Sequence, residues 1–207
     1  SGEKVIDKLY TDFETNALSY YDPKFKVILS GYLEPRGKVK QIEGIKDFPL
    51  CKELVGWGGY EFFVSKSQNY PIDKFTNLKI PYILYDENKR WGLGTALEHI
   101  GKLNHKFLRI QWEQLGYKWD NVPMQYLKPY NKLDVMCMEW LDTWIQGKYS
   151  LKQNALLQET NQYISELSWK GLRIDLVENK TQYKQYKLLV EEKLEGLKQV
   201  EDINWAS

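Results

Sequence analysis

The chain has little cysteine, no long apolar run and almost no net charge, and each of these shortages argues against a class of protein. Its two cysteines, Cys51 and Cys137, show no CxxC or Cys/His spacing, which argues against a zinc site and a disulfide framework. No apolar run approaches the ~20 residues that a membrane helix needs, so no membrane partner is expected. The net charge of +1 over 207 residues gives no broad basic field for coating a nucleic acid duplex.

Aromatic residues, in contrast, are abundant and make up 14% of the chain. A large aromatic core accounts for most of such a content. Surfaces on which single-stranded bases stack are the alternative explanation. The two histidines, His99 and His105, have no ligand-like partners in the sequence and are expected to be surface or helix-packing residues.

Strand patterns come first along the chain and helical patterns follow. Apolar or alternating runs predict five strands, at residues 8–13, 25–33, 37–42, 60–65 and 81–85. A short helix is expected over 45–54, another begins at Pro71 with Asp73, and the pattern is helical from Trp91 onward. This order predicts an α/β (α+β) fold with a mixed sheet flanked by helices.

The character of the sequence changes near Ser150. Residues 151–168 and 176–200 predict two long helices, with Gly171 at the end of the first and a capping box of Asp175 and Glu178 opening the second. We therefore expect one domain over residues 1–150 and a helical segment over 151–207.

Asp12 and Glu14 are the first pair of residues with possible chemistry. They lie two apart on a predicted strand, so both side chains point to one face. Two adjacent carboxylates repel each other unless a cation or protons intervene. Acidic residues on an exposed strand face are common, but the neighbouring Tyr10 and Phe13 indicate a strand interior and favour a functional pair.

Two further acidic motifs follow along the chain. Tyr130 and Asp134 are four apart on a predicted helix and share one face, which is also what an ordinary solvated helix face would give. Asn69 and Asp73 form the second motif, since Asp73 is expected to follow an apolar strand and open a helix. Asp86 and Asp120 also lie between Glu14 and Tyr130 in the sequence. Asp86 fits a structural role better, and Asp120 is expected in a polar turn.

The three motifs DxE, NxxxD and YxxxD, between Leu9 and Leu141, resemble those of the 3′–5′ proofreading exonuclease domain of family A DNA polymerases. The resemblance implies an RNase H-like fold and two bound magnesium or manganese ions. These hard cations prefer oxygen ligands such as carboxylates. It assigns the ions to Asp12, Glu14, Asp73 and Asp134, water positioning to Tyr130, and substrate contacts to Phe13, Thr15 and Asn69. The family usually has an aromatic residue directly before the second-motif aspartate, where this chain has Ile72.

The end of the chain resembles the same family. Residues 163–175 are similar to the start of the polymerase region, and residues 202–207 are similar to its thumb. The resemblance implies hydrolysis of the terminal phosphodiester at single-stranded DNA 3′ ends. It also implies that the partners are the rest of a polymerase chain or replication proteins, in the cytoplasm of a bacterium or a phage-infected cell.

Three alternatives remain open at this point. A freestanding exoribonuclease fits the same motifs, because DxE and YxxxD do not distinguish DNA from RNA. A noncatalytic exonuclease-fold module that binds DNA or supports a polymerase fits a degenerate second motif. A purely structural helical interaction domain fits the residues after 150 and leaves the strand-rich half unexplained.

Overall fold

The computed structural model describes residues 5–17, 19–171 and 176–198. The chain forms two compact units, residues 1–169 and 170–207. The first unit contains one sheet with the strand order β3-β2-β1-β4-β5. Its strands are β1 (Ile6–Thr15), β2 (Val27–Leu33), β3 (Lys40–Glu43), β4 (Cys51–Gly56) and β5 (Lys74–Asn77).

Seven α-helices are described along the chain. They are α1 (Tyr60–Ser67), α2 (Lys79–Tyr85), α3 (Leu93–His99), α4 (Phe107–Gln114), α5 (Met124–Ile145), α6 (Leu151–Lys170) and α7 (Leu176–Lys198). A single 3-10 turn, Trp119–Asn121, precedes α5. The helix α7 lies in the second unit. The expected capping residue Asp175 and the segment 202–207 that resembles a polymerase thumb lie outside the described residues. Within the described ranges, no helix combines the length and the apolar character that crossing a bilayer requires.

The strand directions make the sheet mixed, as the sequence predicts. β1, β2 and β3 form an antiparallel meander. β4 pairs parallel with β1, and β5 pairs parallel with β4. Parallel neighbours need a crossover connection, which α1 supplies between β4 and β5. The fold is α/β, with a mixed five-stranded sheet flanked by helices, as the order of strand and helix patterns predicts.

The central strand β1 is buried on both faces, and this places the acidic pair. Leu9 and Phe13 pack with Phe62 of α1 on one face. Tyr10, on the other face, belongs to the cluster that includes Met138 of α5. Because side chains alternate along a strand, Asp12 and Glu14 share the face of Tyr10 and point toward α5.

Four short segments have a different secondary structure from the one that their sequences predict. The expected strands at 60–65 and 81–85 are the helices α1 and α2, and Pro81 is accommodated in the first turn of α2. The expected helix at 45–54 ends in strand β4, and the residues after Pro71 enter strand β5. Short apolar runs fit a buried helix and a buried strand equally well, so the pattern alone does not decide between them.

The open edge of β5 is covered by side chains of α6. The amide of Asn77 donates to Gln158 Oε1 (2.9 Å), and Gln158 Nε2 donates back to the Asn77 carbonyl (2.9 Å). The amide of Phe75 donates to Gln162 Oε1 (3.2 Å), and Gln162 Nε2 donates to the Asp73 carbonyl (3.2 Å). Four helical residues rise about 6 Å and two strand residues about 6.6 Å, so the two glutamines match alternate strand positions.

This contact changes the expected domain boundary. The helix α6 belongs to the first compact unit up to Trp169. The unit therefore continues past residue 150, where the change in sequence character predicts its end. In the described part of the chain, α6 up to Trp169 is a component of the same compact unit as the sheet.

Gln158→Leu combined with Gln162→Leu should lower the free energy of unfolding by about 1–3 kcal/mol, because buried backbone groups of β5 lose their partners. Thermal unfolding measures this, and amide hydrogen exchange should accelerate at Phe75 and Asn77. Gln153→Leu, at an exposed position of the same helix, is the matched control. Equal stability of the double variant and the control would show that the glutamines do not hold the edge.

Candidate active site

Three carboxylates from two elements meet at one point. Oxygens of Asp12, Glu14 and Asp134 all lie within 4.8 Å of one another. β1 supplies the first two on one face, and α5 supplies the third. Glu14 and Asp134 are almost fully buried, at 2% and 1% exposure. The structure thus brings together three of the four residues that the resemblance assigns to metal binding.

A buried asparagine orients Asp12. Asn131 Nδ2 donates to the Asp12 Oδ2 carboxylate oxygen (2.9 Å) and to its main-chain carbonyl (3.0 Å). Gln41 Nε2 in turn donates to Asn131 Oδ1 (2.9 Å). A side chain at Gly31 would collide with Asn131, so the close approach of α5 to β2 requires a glycine there. The sequence analysis missed Asn131, although it lies inside the Tyr130–Asp134 motif.

Two cationic or potentially cationic side chains contact Asp134. His105 Nε2 lies 2.7 Å from Asp134 Oδ1, and His105 is 3% exposed. Lys106 Nζ lies 2.6 Å from an Asp134 carboxylate oxygen and donates to the Tyr130 hydroxyl (2.8 Å). His105 is therefore not a surface residue; it packs on the Tyr130 ring of α5, with centroids 5.5 Å apart, and also contacts Asp134. No spacing in the sequence connects residues 105–106 with Asp134, because the fold alone brings them together.

Burial and mutual repulsion control the ionisation of the cluster. Burial, followed by the charge of Asp134, raises the pKa of Asp12 to about 6. Burial and the charges of Asp12 and Asp134 raise the pKa of Glu14 well above its ordinary value. For Lys106, burial is the largest single effect and would lower the pKa, but the negative charges around it, led by Asp134, together outweigh burial and raise the pKa. Lys106 is therefore a cation beside partly protonated acids.

Glu61 is a fourth buried acid next to this cluster. It lies in the first turn of α1 and is 5% exposed. Burial, followed by the charge of Asp12, raises its pKa to about 8. A Cβ at Gly56 would come within 2.7 Å of Glu61 Oε2, so a glycine at the end of β4 makes room for the carboxylate.

The sequence analysis missed Glu61, although a signal was present. Tyr60 directly precedes it, and an aromatic residue directly before the acid is the usual pattern of the second motif. The second motif of the family ends in an aspartate, and the apolar pattern of residues 60–65 predicts a strand. Both features favour Asp73 over Glu61 in the sequence.

Asp73 does not reach the cluster. It is exposed at the entrance to β5, and Lys74 pairs with Glu53, which pairs with Lys8. Asp73 is therefore level with about Asp7, five residues or about 16 Å back along β1 from Asp12. The structure therefore does not bring Asp73 to the group formed by Asp12, Glu14 and Asp134.

The other second-motif candidates also lie away from the cluster. Asn69 is exposed just after α1, with φ of 55°, and serves as a turn residue at the end of the sheet opposite to Gly56. Asp86 ends α2, where its side chain accepts the Asn88 amide (3.1 Å), which is the structural role expected of it. Asp120 lies in the 3-10 turn before α5.

A cleft of about 210 Å³ opens onto the acids. It is lined by Asp12, Phe13, Glu14, Thr15, Tyr60, Lys106, Arg109, Tyr130 and Asp134. Phe13 borders it, but its ring is 4% exposed and packs on Phe48 with centroids 5.3 Å apart, so it offers no open face for a base. Thr15 bonds the Tyr60 hydroxyl through its Oγ1 (2.7 Å) and helps to shape the cleft wall.

The donor set fits a divalent cation. Among the residues that the structure describes, Glu14 Oε1 and Glu61 Oε2 are buried without a hydrogen-bond partner. A buried carboxylate oxygen without a partner is costly, and hard cations such as Mg²⁺ prefer this ligand type. Asp12, Glu14 and Asp134 would hold the metal, with Glu61 beside them.

Comparison with known proteins identifies the fold. No protein-family model and no curated protein sequence matches the chain. Solved structures do match. A structure described as the apo form of a nuclease has a TM-score of 0.57 at 15% identity, covering 82% of this chain and 89% of that chain. NrnC from Brucella melitensis has a TM-score of 0.57 at 17% identity, covering 80% and 86%. The fold is that of known nucleases.

Two further NrnC structures carry ligands. NrnC with bound Mg²⁺ has a TM-score of 0.51 at 16% identity, covering 82% of this chain and 90% of that chain. NrnC bound to pGG has a TM-score of 0.53 at 15% identity, covering 83% and 89%. These matches give no support to a family A polymerase domain.

The stability of the metal-free protein should fall as the pH rises. The pKa of Glu61 is ~4.3 in the unfolded chain and is raised to about 8 in the folded protein. Protonated Glu61 therefore contributes its full stabilisation to the free energy of unfolding below about pH 4, and this stabilisation is lost as the pH rises through about 8. We expect the Tm to decrease between about pH 5 and about pH 8.5, and less so in Glu61→Gln. Mg²⁺ should raise the Tm more at the higher pH, where the acids are ionised.

Glu87→Gln, at an exposed turn position, is the matched control and should keep the wild-type pH dependence. Differential scanning calorimetry in chelator and in Mg²⁺ measures both effects. A steeper fall in Glu61→Gln than in the wild type would contradict the assignment of Glu61 to this buried acidic cluster.

Proposed function

We propose that this chain is a freestanding, magnesium-dependent 3′–5′ exonuclease of short single-stranded nucleic acids, with oligoribonucleotides as the expected substrates. The observation that carries the proposal is the convergence of Asp12, Glu14 and Asp134 within 4.8 Å at the floor of a cleft. Buried acids with unpartnered oxygens are costly in a scaffold and useful in a metal-dependent hydrolase.

The bound metal would supply a water of lowered pKa and stabilise charge on the leaving oxygen. The residues around it position the reactants. Burial and the charge of Asp134 raise the pKa of Tyr130, so its hydroxyl stays protonated at neutral pH. Tyr130 therefore orients the attacking water by hydrogen bonding and does not deprotonate it.

Two basic side chains at the cleft fit a phosphodiester. Lys106 and Arg109 both line it, on the side of α4. In the metal-free protein Lys106 neutralises Asp134. A bound phosphate offers Lys106 and Arg109 a second anion within the same cleft, which favours binding of the scissile phosphate.

The comparisons favour a freestanding enzyme over a polymerase part. The matched nuclease chains are covered over 86–90% of their length, so the fold of this chain corresponds to nearly all of them. One of those structures holds pGG, and a cleft of about 210 Å³ suits the end of a single strand. A duplex end would have to unstack before its terminal nucleotide could enter.

Glu61→Gln should reduce metal-dependent hydrolysis by about 100-fold or more, since it removes a negative charge beside the metal cluster. Asp73→Asn should stay within a few-fold of the wild type, because Asp73 lies at the opposite end of the sheet. Both substitutions preserve side-chain size, so they form a matched pair. The rate of mononucleotide release from a labelled oligonucleotide measures the effect. If Asp73→Asn lost activity and Glu61→Gln kept it, the assignment of Glu61 in place of Asp73 as the acid beside the metal would be contradicted.

Single-stranded RNA oligonucleotides should be shortened stepwise from the 3′ end in Mg²⁺, and chelator should abolish the reaction. RNA and DNA of one sequence, each single-stranded and duplex, are compared by gel electrophoresis. We expect short RNA to be the best substrate and duplexes to be resistant. Faster cleavage of DNA would favour the proofreading role, and undiminished cleavage in chelator would exclude the metal mechanism. A wild-type protein that is inactive in every divalent metal would favour the noncatalytic module.

A further inference from the structure

A stack of aromatic rings lies on the surface formed by the β1–β2 loop, α1 and the end of α6. The loop, residues 16–26, carries Tyr20 and Tyr21. The Tyr20 ring lies nearly parallel to Phe63 of α1, with centroids 4.9 Å apart and 6° between planes. The Tyr21 ring lies nearly parallel to Trp169 of α6, at 6.2 Å and 11°.

This stack is continuous with the candidate active site. The loop begins directly after Thr15, the neighbour of Glu14 in β1. Thr15 Oγ1 is hydrogen-bonded to the Tyr60 hydroxyl (2.7 Å), and both residues line the cleft. Phe63 follows Tyr60 by three residues in α1, which is about 5 Å of helix. A strand whose 3′ end occupies the cleft passes the stack within the next nucleotides.

The outer ring of the stack is open to solvent. Tyr21 is 64% exposed even though it packs on Trp169 and on Tyr20 (centroids 4.5 Å). Tyr21 is held from beneath and accessible from above, so a base can stack on it at little cost in conformational entropy.

The described part of this loop, residues 16–17 and 19–26, is basic and has internal hydrogen bonds. Asn16 Oδ1 accepts the Lys26 amide (2.6 Å), and Asn16 Nδ2 donates to the Lys24 carbonyl (2.8 Å). Asp22 Oδ1 accepts the Lys24 amide (2.8 Å), which uses the acidic side chain of the loop internally. The side chains of Lys24 and Lys26 are exposed. An aromatic surface flanked by cations matches a single strand, which presents bases and phosphates together.

We propose that Tyr21 and its ring stack bind a base of single-stranded nucleic acid upstream of the 3′ nucleotide, with Lys24 and Lys26 contacting the adjacent phosphates. The position of this base relative to the 3′ end rests on the proposed exonuclease function. The binding itself does not, because no part of the stack includes a metal ligand. The stack makes the enzyme prefer strands of several nucleotides over a dinucleotide.

Binding of a fluorescein-labelled hexanucleotide in chelator, followed by anisotropy, tests the site without hydrolysis. Tyr21→Ala should weaken binding by about tenfold, within the range for one stacked base, and Tyr21→Phe should retain wild-type affinity. Tyr163→Ala, at a 65% exposed tyrosine of α6, is the control and should change nothing. Unchanged affinity in Tyr21→Ala, or an equal loss in Tyr163→Ala, would overturn the proposal.

The lysines are tested by salt dependence. The slope of log Kd against log salt should decrease by about 1.4 in the Lys24→Gln, Lys26→Gln double variant, at ~0.7 for each phosphate contact on a single strand. An unchanged slope would overturn the assignment of phosphate contacts to these lysines.

Hydrolysis in Mg²⁺ separates this site from the catalytic one. Tyr21→Ala should raise the KM for a hexanucleotide about tenfold and leave kcat and the KM for a thymidine 5′-nitrophenyl phosphate ester unchanged. An equal rise for both substrates would mean that the variant disturbs the cleft, which would overturn the proposal. If the wild type binds the hexanucleotide through Tyr21 but hydrolyses neither substrate, the exonuclease function fails and the stacking site stands.

Discussion

The burial of several carboxylates at one point is the constraint on which the rest of this structure depends. Such a cluster lowers stability, because desolvation and mutual repulsion both oppose ionisation. The pKa values of Asp12 and Glu61 are raised for this reason, with burial as the largest cause in both. The fold meets this opposition with a rigid frame. β1 is central in the sheet and fixed on both faces, and α5 approaches β2 closely enough for Asn131 to hold Asp12. The position of each acid is therefore set before any cation binds.

Lys106 and His105 explain how the cluster persists in the metal-free protein. They supply positive charge or hydrogen bonds to Asp134, the acid contributed by α5. The acids of β1 and α1 have no comparable cation at hydrogen-bonding distance in the described structure, and two of their oxygens lack a partner. The charge compensation is thus unequal across the cluster. Within the triad of Asp12, Glu14 and Asp134, an added divalent cation would supply the missing partner of the buried Glu14 Oε1 oxygen.

The sequence predicts the first and third acidic motifs of the site, but the second motif that it predicts does not lie at the site. Asp12 with Glu14, and Tyr130 with Asp134, follow from strand and helix periodicity, because both members of each pair lie in one regular element. Glu61 lies where the end of β4 leads into the start of α1, and those short apolar segments fit a strand or a helix equally well. His105 and Lys106 precede α4, and only the tertiary fold carries them to Asp134. The role of the α6 glutamines cannot be predicted from the sequence for the same reason, because their hydrogen-bond partners are backbone groups of β5 that only the fold brings close.

A glutamate at position 61 and a glycine at position 56 form one structural solution. α1 packs with Leu9 and Phe13 on one face of the sheet, whereas Asp12 and Glu14 lie on the other face. A carboxylate from α1 must therefore extend past the end of β4 to approach them. The extra methylene of glutamate, relative to aspartate, gives that reach, and the missing side chain at Gly56 leaves the space through which it passes. Asp73 has a suitable carboxylate, but it precedes β5 at the end of the sheet where β1 begins, far from Asp12 and Glu14.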